Sequence, residues 1–139
     1  MLIWFMRWQE FLKKNPKKIL YALSALAPMT IMLVVWAFMG MYPFGSKSLM
    51  AVDFGQQYIS FFGLLKNAIL TGDLSSLSYS FTKSLGGDMI GVLGYYLMSP
   101  FNIIYILAPL KYFGAAVFLT IWLRYGAIGL SFAFLLIRR

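Results

Sequence analysis

The sequence contains no cysteine and no histidine, and only four of its 139 residues are acidic. Without cysteine there is neither a disulfide nor a thiolate metal site. Without histidine the commonest metal ligand and the commonest general base are both missing. Any chemistry therefore falls to Asp, Glu, Lys, Arg, Tyr or the backbone. Charge of either sign is scarce, at 12% of residues, against about 25% in soluble domains. Apolar side chains fill the gap: 61% of the residues are hydrophobic and 19% aromatic. That balance argues against a water-soluble fold and for an all-α integral membrane protein.

The net charge of +8 would suit nucleic acid, but its distribution follows a membrane topology instead. Arg7, Lys13, Lys14, Lys17 and Lys18 precede the first apolar run, against the single Glu10. Between Pro43 and Asp88, Lys47, Lys66 and Lys83 are balanced by Asp53, Asp73 and Asp88. Arg138 and Arg139 close the sequence. Basic residues beside spans mark the cytoplasmic side, so the N-terminus is expected inside and nucleic acid is not an expected partner.

Residues Met1 to Lys18 mix Trp4, Phe5, Trp8 and Phe11 with basic residues, which predicts a cytoplasmic interfacial segment. Ile19 to Tyr42 is free of charge. As a helix it reaches about 36 Å, enough for a hydrocarbon core of about 30 Å. It is too long for a signal-peptide core and is read as an uncleaved span. Residues 43–111 then form an outer loop. Within it, Phe54, Tyr58, Phe61, Phe62, Leu65 and Ile69 recur at helical steps, predicting an amphipathic helix over 53–71. That helix is expected either to lie on the outer leaflet or to pack on neighbouring spans, and Thr71-Gly72-Asp73 ends it. Leu74 to Asp88 reads as loop. Met89 to Leu110 is apolar but cut by Ser99-Pro100 into halves too short to cross.

Tyr112 to Ile137 is a second span interrupted by Arg124. The positive-inside rule favours two spans, with Arg138-Arg139 inside; a third exists only if Met89–Leu110 crosses. Arg124 near mid-span costs about 2.5–3.5 kcal/mol on insertion scales. It lies about 20 Å along the helix from the inner end, too far to snorkel. It therefore asks for a polar neighbour in a bundle larger than two helices, supplied by more chain or by partner subunits. No phosphate-binding loop, nucleophile elbow, zinc spacing or dinucleotide fingerprint is present.

The stretch from Gly40 to Pro109 resembles the YfhO family of bacterial membrane proteins. The resemblance runs in order through Tyr42-Pro43-Phe44-Gly45, Ser48-Leu49, Asp53 with Gln57-Tyr58, and Phe61-Phe62. It continues through Leu70 with Gly72, Tyr79-Ser80-Phe81, Leu85-Gly86-Gly87, Tyr95-Tyr96, Ser99-Pro100-Phe101-Asn102 and Ala108-Pro109. Ser84 stands where the family usually has Gly, and Asp88 where it usually has Asn. The family looks like a branch of the GT-C glycosyltransferases, which take sugar from a polyprenyl-phosphate carrier on the outer membrane face. The resemblance implies transfer to a cell-envelope polymer such as lipoteichoic acid in a Gram-positive bacterium. It also implies that these residues are the N-terminal part of a larger GT-C-like helical bundle, inactive alone.

On that resemblance Asp53 is the catalytic base, since a single displacement needs one carboxylate opposite the leaving group. From spacing alone Asp53 is equally an N-cap, with Gln56 three residues on as in a capping box. Gln57, one turn further, is placed to orient the carboxylate or a sugar hydroxyl. Asp88 is either an acceptor- or cation-binding carboxylate or a plain turn residue. Tyr58, Tyr95 and Tyr96 stack on sugar or anchor at the interface. Arg124 is a substrate or bundle contact. A divalent cation is compatible with the acidic residues, with no ligand set identified. The competing class is a non-enzymatic small membrane protein, pore-forming or accessory, which Arg124 and the broken apolar element would suit.

Overall fold

The structure, a computed structural model, describes residues 16–81 and 86–137. Most of the expected interfacial segment, together with Lys83, Ser84 and the terminal arginines, lies outside the described residues. The chain divides into two compact units, one containing residues to Met39 and from Ile121 onward, the other Gly40–Thr120.

Helix α1, Pro16–Met39, begins on a proline, whose missing amide is harmless in a first turn. It starts and ends three residues earlier than the uncharged run Ile19–Tyr42. Gly40, at φ +66°, takes the left-handed conformation that closes helices, so the last apolar residues turn away. Helix α5, Phe113–Ile137, follows a 3-10 turn at Leu110–Tyr112. Both are long and apolar enough to cross a membrane.

In the first unit α1 and α5 run antiparallel: Gly126 lies against Met29, Gly129 against Ser24, and Phe134 against Tyr21. The closest approach has a covalent cause. Pro28 has no amide to offer the carbonyl of Ser24, four residues back. Gly129 covers that carbonyl so closely that a Cβ there would stand 1.9 Å from the Ser24 oxygen and 3.0 Å from Pro28 Cγ. Trp122 adds a cross-link, its Nε1–H donating to Met29 O at 3.1 Å.

The second unit opens on a tight loop. Tyr42 N donates to Lys47 O at 2.8 Å and Lys47 N to Gly40 O at 3.1 Å. Gly45 backs onto Gly40, where a Cβ would meet the Gly40 oxygen at 2.3 Å. A π-helical turn, Phe54–Tyr58, leads into α2, Ile59–Thr71, which Gly72 closes at φ +75°. The expected loop from Leu74 to Asp88 contains more order than its composition suggested. It has a 3-10 turn at Leu74–Leu77 and an antiparallel pair, β1 (Tyr79–Ser80) with β2 (Gly87–Asp88).

The broken apolar element is two arms. α3, Ile90–Val92, runs on into a π-helical turn at Leu93–Leu97. After Ser99 a 3-10 turn, Pro100–Asn102, leads into α4, Ile103–Leu107. The arms meet at 87°. Asn102, 1% exposed, holds the corner: its Nδ2 donates to Tyr96 O and to Leu97 O, both at 3.0 Å. Those carbonyls end the first arm and have no helical partner. Asn102→Leu keeps the bulk and removes both donors. It is expected to destabilise the second unit by about 1–3 kcal/mol, read as a lower unfolding midpoint in detergent and new proteolysis near Met98.

Packing decides what α2 faces. Phe62, Leu65 and Ala68 are buried, and Phe62 stacks on Tyr105 of α4, with ring centroids 4.1 Å apart. Lys66 reaches the same element and donates to Ala108 O. Ile69, expected on the apolar face, is exposed, and Ala68 takes its place inside. The aromatic face of α2 therefore packs on protein.

Candidate functional site

Both π-helical turns carry aromatic residues, and the second unit brings these together. In one turn Phe54 stacks on Tyr58 at 5.3 Å. In the other Tyr95 and Tyr96 meet edge to face at 4.6 Å. Tyr58 and Tyr96 join the two turns at 4.4 Å and 88°, and Phe61 flanks Tyr96 at 5.5 Å. A π turn shifts side chains off the usual helical positions and recurs at functional sites. Here Gly55 permits the close approach, since a Cβ there would lie 2.7 Å from Met50 O.

Asp53 begins the first of these turns. Its backbone is already helical (φ −57°, ψ −32°) and its side chain makes no capping hydrogen bond. The N-cap expected from the spacing with Gln56 is therefore corrected. The chain enters the helix through Val52 at φ +50°, with Phe54 N bonded to Ala51 O and Gln56 N to Val52 O, so Asp53 lies inside the first turn. A β-branched residue in the left-handed region is strained, and such strain gathers at functional positions. The carboxylate is exposed and near enough to Tyr58 to act on its ionisation.

Tyr58 holds its proton more tightly than an ordinary phenol of pKa 10.0. Desolvation is the largest cause, followed by the charges of Tyr96, Tyr95 and Asp53 and by a hydrogen bond with Tyr96. Each of these disfavours the phenolate. Tyr58 is thus a neutral hydrogen-bonding group at physiological pH.

Asp88, Gly91, Val92, Tyr95 and Tyr96 line a shallow groove. Asp88 is exposed and its Oδ1 accepts from Ile90 N at 3.0 Å, which ties it to the start of α3. Tyr95 is 79% exposed, with a free face that Tyr58 and Tyr96 lack. Gln57 is exposed and makes no hydrogen bond among the described residues. Arg124 is half-buried on α5 in the other unit. Among the described residues no three acidic side chains gather where they could hold a metal ion.

The family model described as "Bacterial membrane protein YfhO" matches residues 24–139. The chain belongs to the YfhO family. That match extends beyond the Gly40–Pro109 stretch carrying the sequence resemblance and includes most of α1 and all of α5. It makes the chain a bacterial membrane protein, in agreement with its two long apolar helices. No curated protein and no solved structure matches it.

Several YfhO-family motif residues have structural tasks here. Asn102 of Ser99-Pro100-Phe101-Asn102 clamps the bend, and Gly45 of Tyr42-Pro43-Phe44-Gly45 allows the loop to close. Sequence reasoning missed the strained Val52 and both π turns. The one legible hint was glycine inside each turn, Gly55 and Gly94.

Proposed function

We propose that this YfhO-family chain contributes the acceptor-activating part of a membrane glycosyltransferase, moving sugar from a polyprenyl-phosphate donor to a cell-envelope polymer. The supporting observation is the setting of Asp53, an exposed carboxylate on a strained turn beside a cluster of tyrosines in which Tyr58 keeps its proton. In the reaction the Asp53 carboxylate takes the proton of an acceptor hydroxyl. The freed oxygen bonds to the anomeric carbon while the bond from that carbon to the lipid phosphate oxygen breaks. The electron pair leaves with the phosphate, and configuration inverts. Tyr95 offers a face for a sugar ring, and Tyr58 stays protonated as a hydrogen-bonding neighbour. Asp88 retains its turn and lines the acceptor side. The deciding assay is transfer of labelled sugar from polyprenyl-phosphate sugar in membranes containing the whole protein, with and without Asp53.

The reaction belongs on the outer face. Antiparallel pairing of α1 with α5 supports two spans, with Leu74–Asp88 outside and the basic N-terminus inside. Single cysteines at Ser76 and Lys17 are expected to react oppositely with an impermeant thiol reagent on intact cells, Ser76→Cys labelling and Lys17→Cys not. Labelling of both from outside would overturn this orientation.

A further inference from the structure

We propose that the loop at Gly45–Met50 forms an anion site for the phosphoryl headgroup of a long-chain alcohol phosphate, with Lys47 as its cation. The assignment rests on the donor chemistry proposed above and gives that donor a place on this chain. Tyr42, Ser46, Lys47, Ser48, Met50 and Gly114 line a cleft of about 140 Å³. That is room for a phosphoryl group in place of several waters.

The polar side chains of the cleft include one ammonium and two serine hydroxyls, all able to donate. The Lys47 ammonium makes no hydrogen bond or ion pair among the described residues, and no carboxylate lines the cleft. Ser48 Oγ accepts from Met50 N at 2.9 Å, which leaves its own hydroxyl proton to give. Ser46 adds a second hydroxyl. An ammonium with two hydroxyls and no competing acid selects an anion. The base of Lys47 is fixed at both backbone groups, its N on Gly40 O and its O on Tyr42 N, so little order remains to be imposed on binding.

Two further observations favour a lipid headgroup. Of the other described lysines between the two long helices, Lys66 is engaged with Ala108 O and Lys111 lies over the Tyr112 ring. The cleft is also built from the continuations of both spanning helices, a loop that starts directly after Met39 and the first turn of α5 at Gly114. Chain connectivity thus keeps it near the headgroups, and Leu49, Met50 and Gly114 give an apolar wall for the first carbons of the alcohol.

The test uses the purified protein in phosphatidylcholine nanodiscs, with lysine acylation read by mass spectrometry. A polyprenyl monophosphate in the bilayer is one probe and inorganic phosphate in the buffer the other. The lipid is expected to protect Lys47 from acylation while leaving Lys111, exposed beside Tyr112, unprotected. Lys47→Gln should weaken lipid binding by about tenfold or more, the scale of one charged hydrogen bond. Lys111→Gln, with the same net charge, should leave it unchanged. Equal protection by inorganic phosphate would overturn the headgroup assignment in favour of free phosphate. No protection, or equal losses in the two variants, would overturn the site. Transfer lost in Asp53→Asn with Lys47 unprotected removes the cleft alone; Lys47 protected with transfer intact in Asp53→Asn removes the catalytic reading alone.

Discussion

Asp53→Asn is expected to lose sugar transfer by about 10²- to 10⁴-fold, the usual contribution of a positioned base, while the second unit keeps its fold. Asparagine has nearly the same shape and differs in charge and basicity. The side chain is exposed and makes no capping bond, so no backbone group loses a partner. For the same reason Asp53→Ala should spare the fold, where a true N-cap would cost about 0.5–2 kcal/mol. A loss of activity in both variants at unchanged unfolding midpoints identifies chemistry and not stability. Asp88→Asn, which retains the oxygen that Ile90 N binds, should keep much of the activity. Transfer by Asp53→Asn at the parental rate would send the search for the base elsewhere.

The second large effect is on the helix pair. Gly129→Ala would ordinarily help a helix by about 1 kcal/mol, because alanine is the better helix former. Here the added methyl would overlap the Ser24 carbonyl at 1.9 Å. A backbone oxygen yields only if α1 and α5 move apart, which forfeits the close packing that holds membrane helices together. Overpacking of this kind costs about 1–3 kcal/mol, and more where backbones collide. Gly129→Ala should therefore lower the unfolding midpoint clearly. Gly126→Ala should cost less, because its nearest neighbour is the Met29 sulfur at 2.5 Å, the flexible part of a side chain. A gain in stability for Gly129→Ala would show that the helices are not in contact there.

The helices that rest on long-range composition were legible in the sequence. Two long apolar helices, the α2 helix and a broken element between them all follow from hydrophobic length, periodicity and Ser99-Pro100. What was hidden depends on backbone detail. Gly40 moved the end of α1 because a left-handed glycine stops a helix whatever the hydropathy around it. Asp53 with Gln56 matched a capping box, but the positive φ at Val52 started the helix earlier than that pattern assumes. The tyrosines were named singly; their meeting required two π turns that have no periodic signature. Lys66 read as a polar-face residue because its reach to Ala108 spans 42 positions in sequence.

The Asn102 clamp bears on how the bent element partitions between water and oil. In hydrocarbon an unsatisfied backbone polar group costs several kcal/mol, which is why bent segments normally need water at the corner. Here one buried amide satisfies two of the corner's carbonyls, so the corner carries much of its own solvation. The transfer free energy of this element is then governed less by its backbone than by the side chains it exposes. Ile103, Leu107 and Met98 favour oil, while the hydroxyl of Tyr95 favours the polar boundary. Its depth of immersion is thus a quantity tunable by single surface substitutions, with the bend itself unchanged.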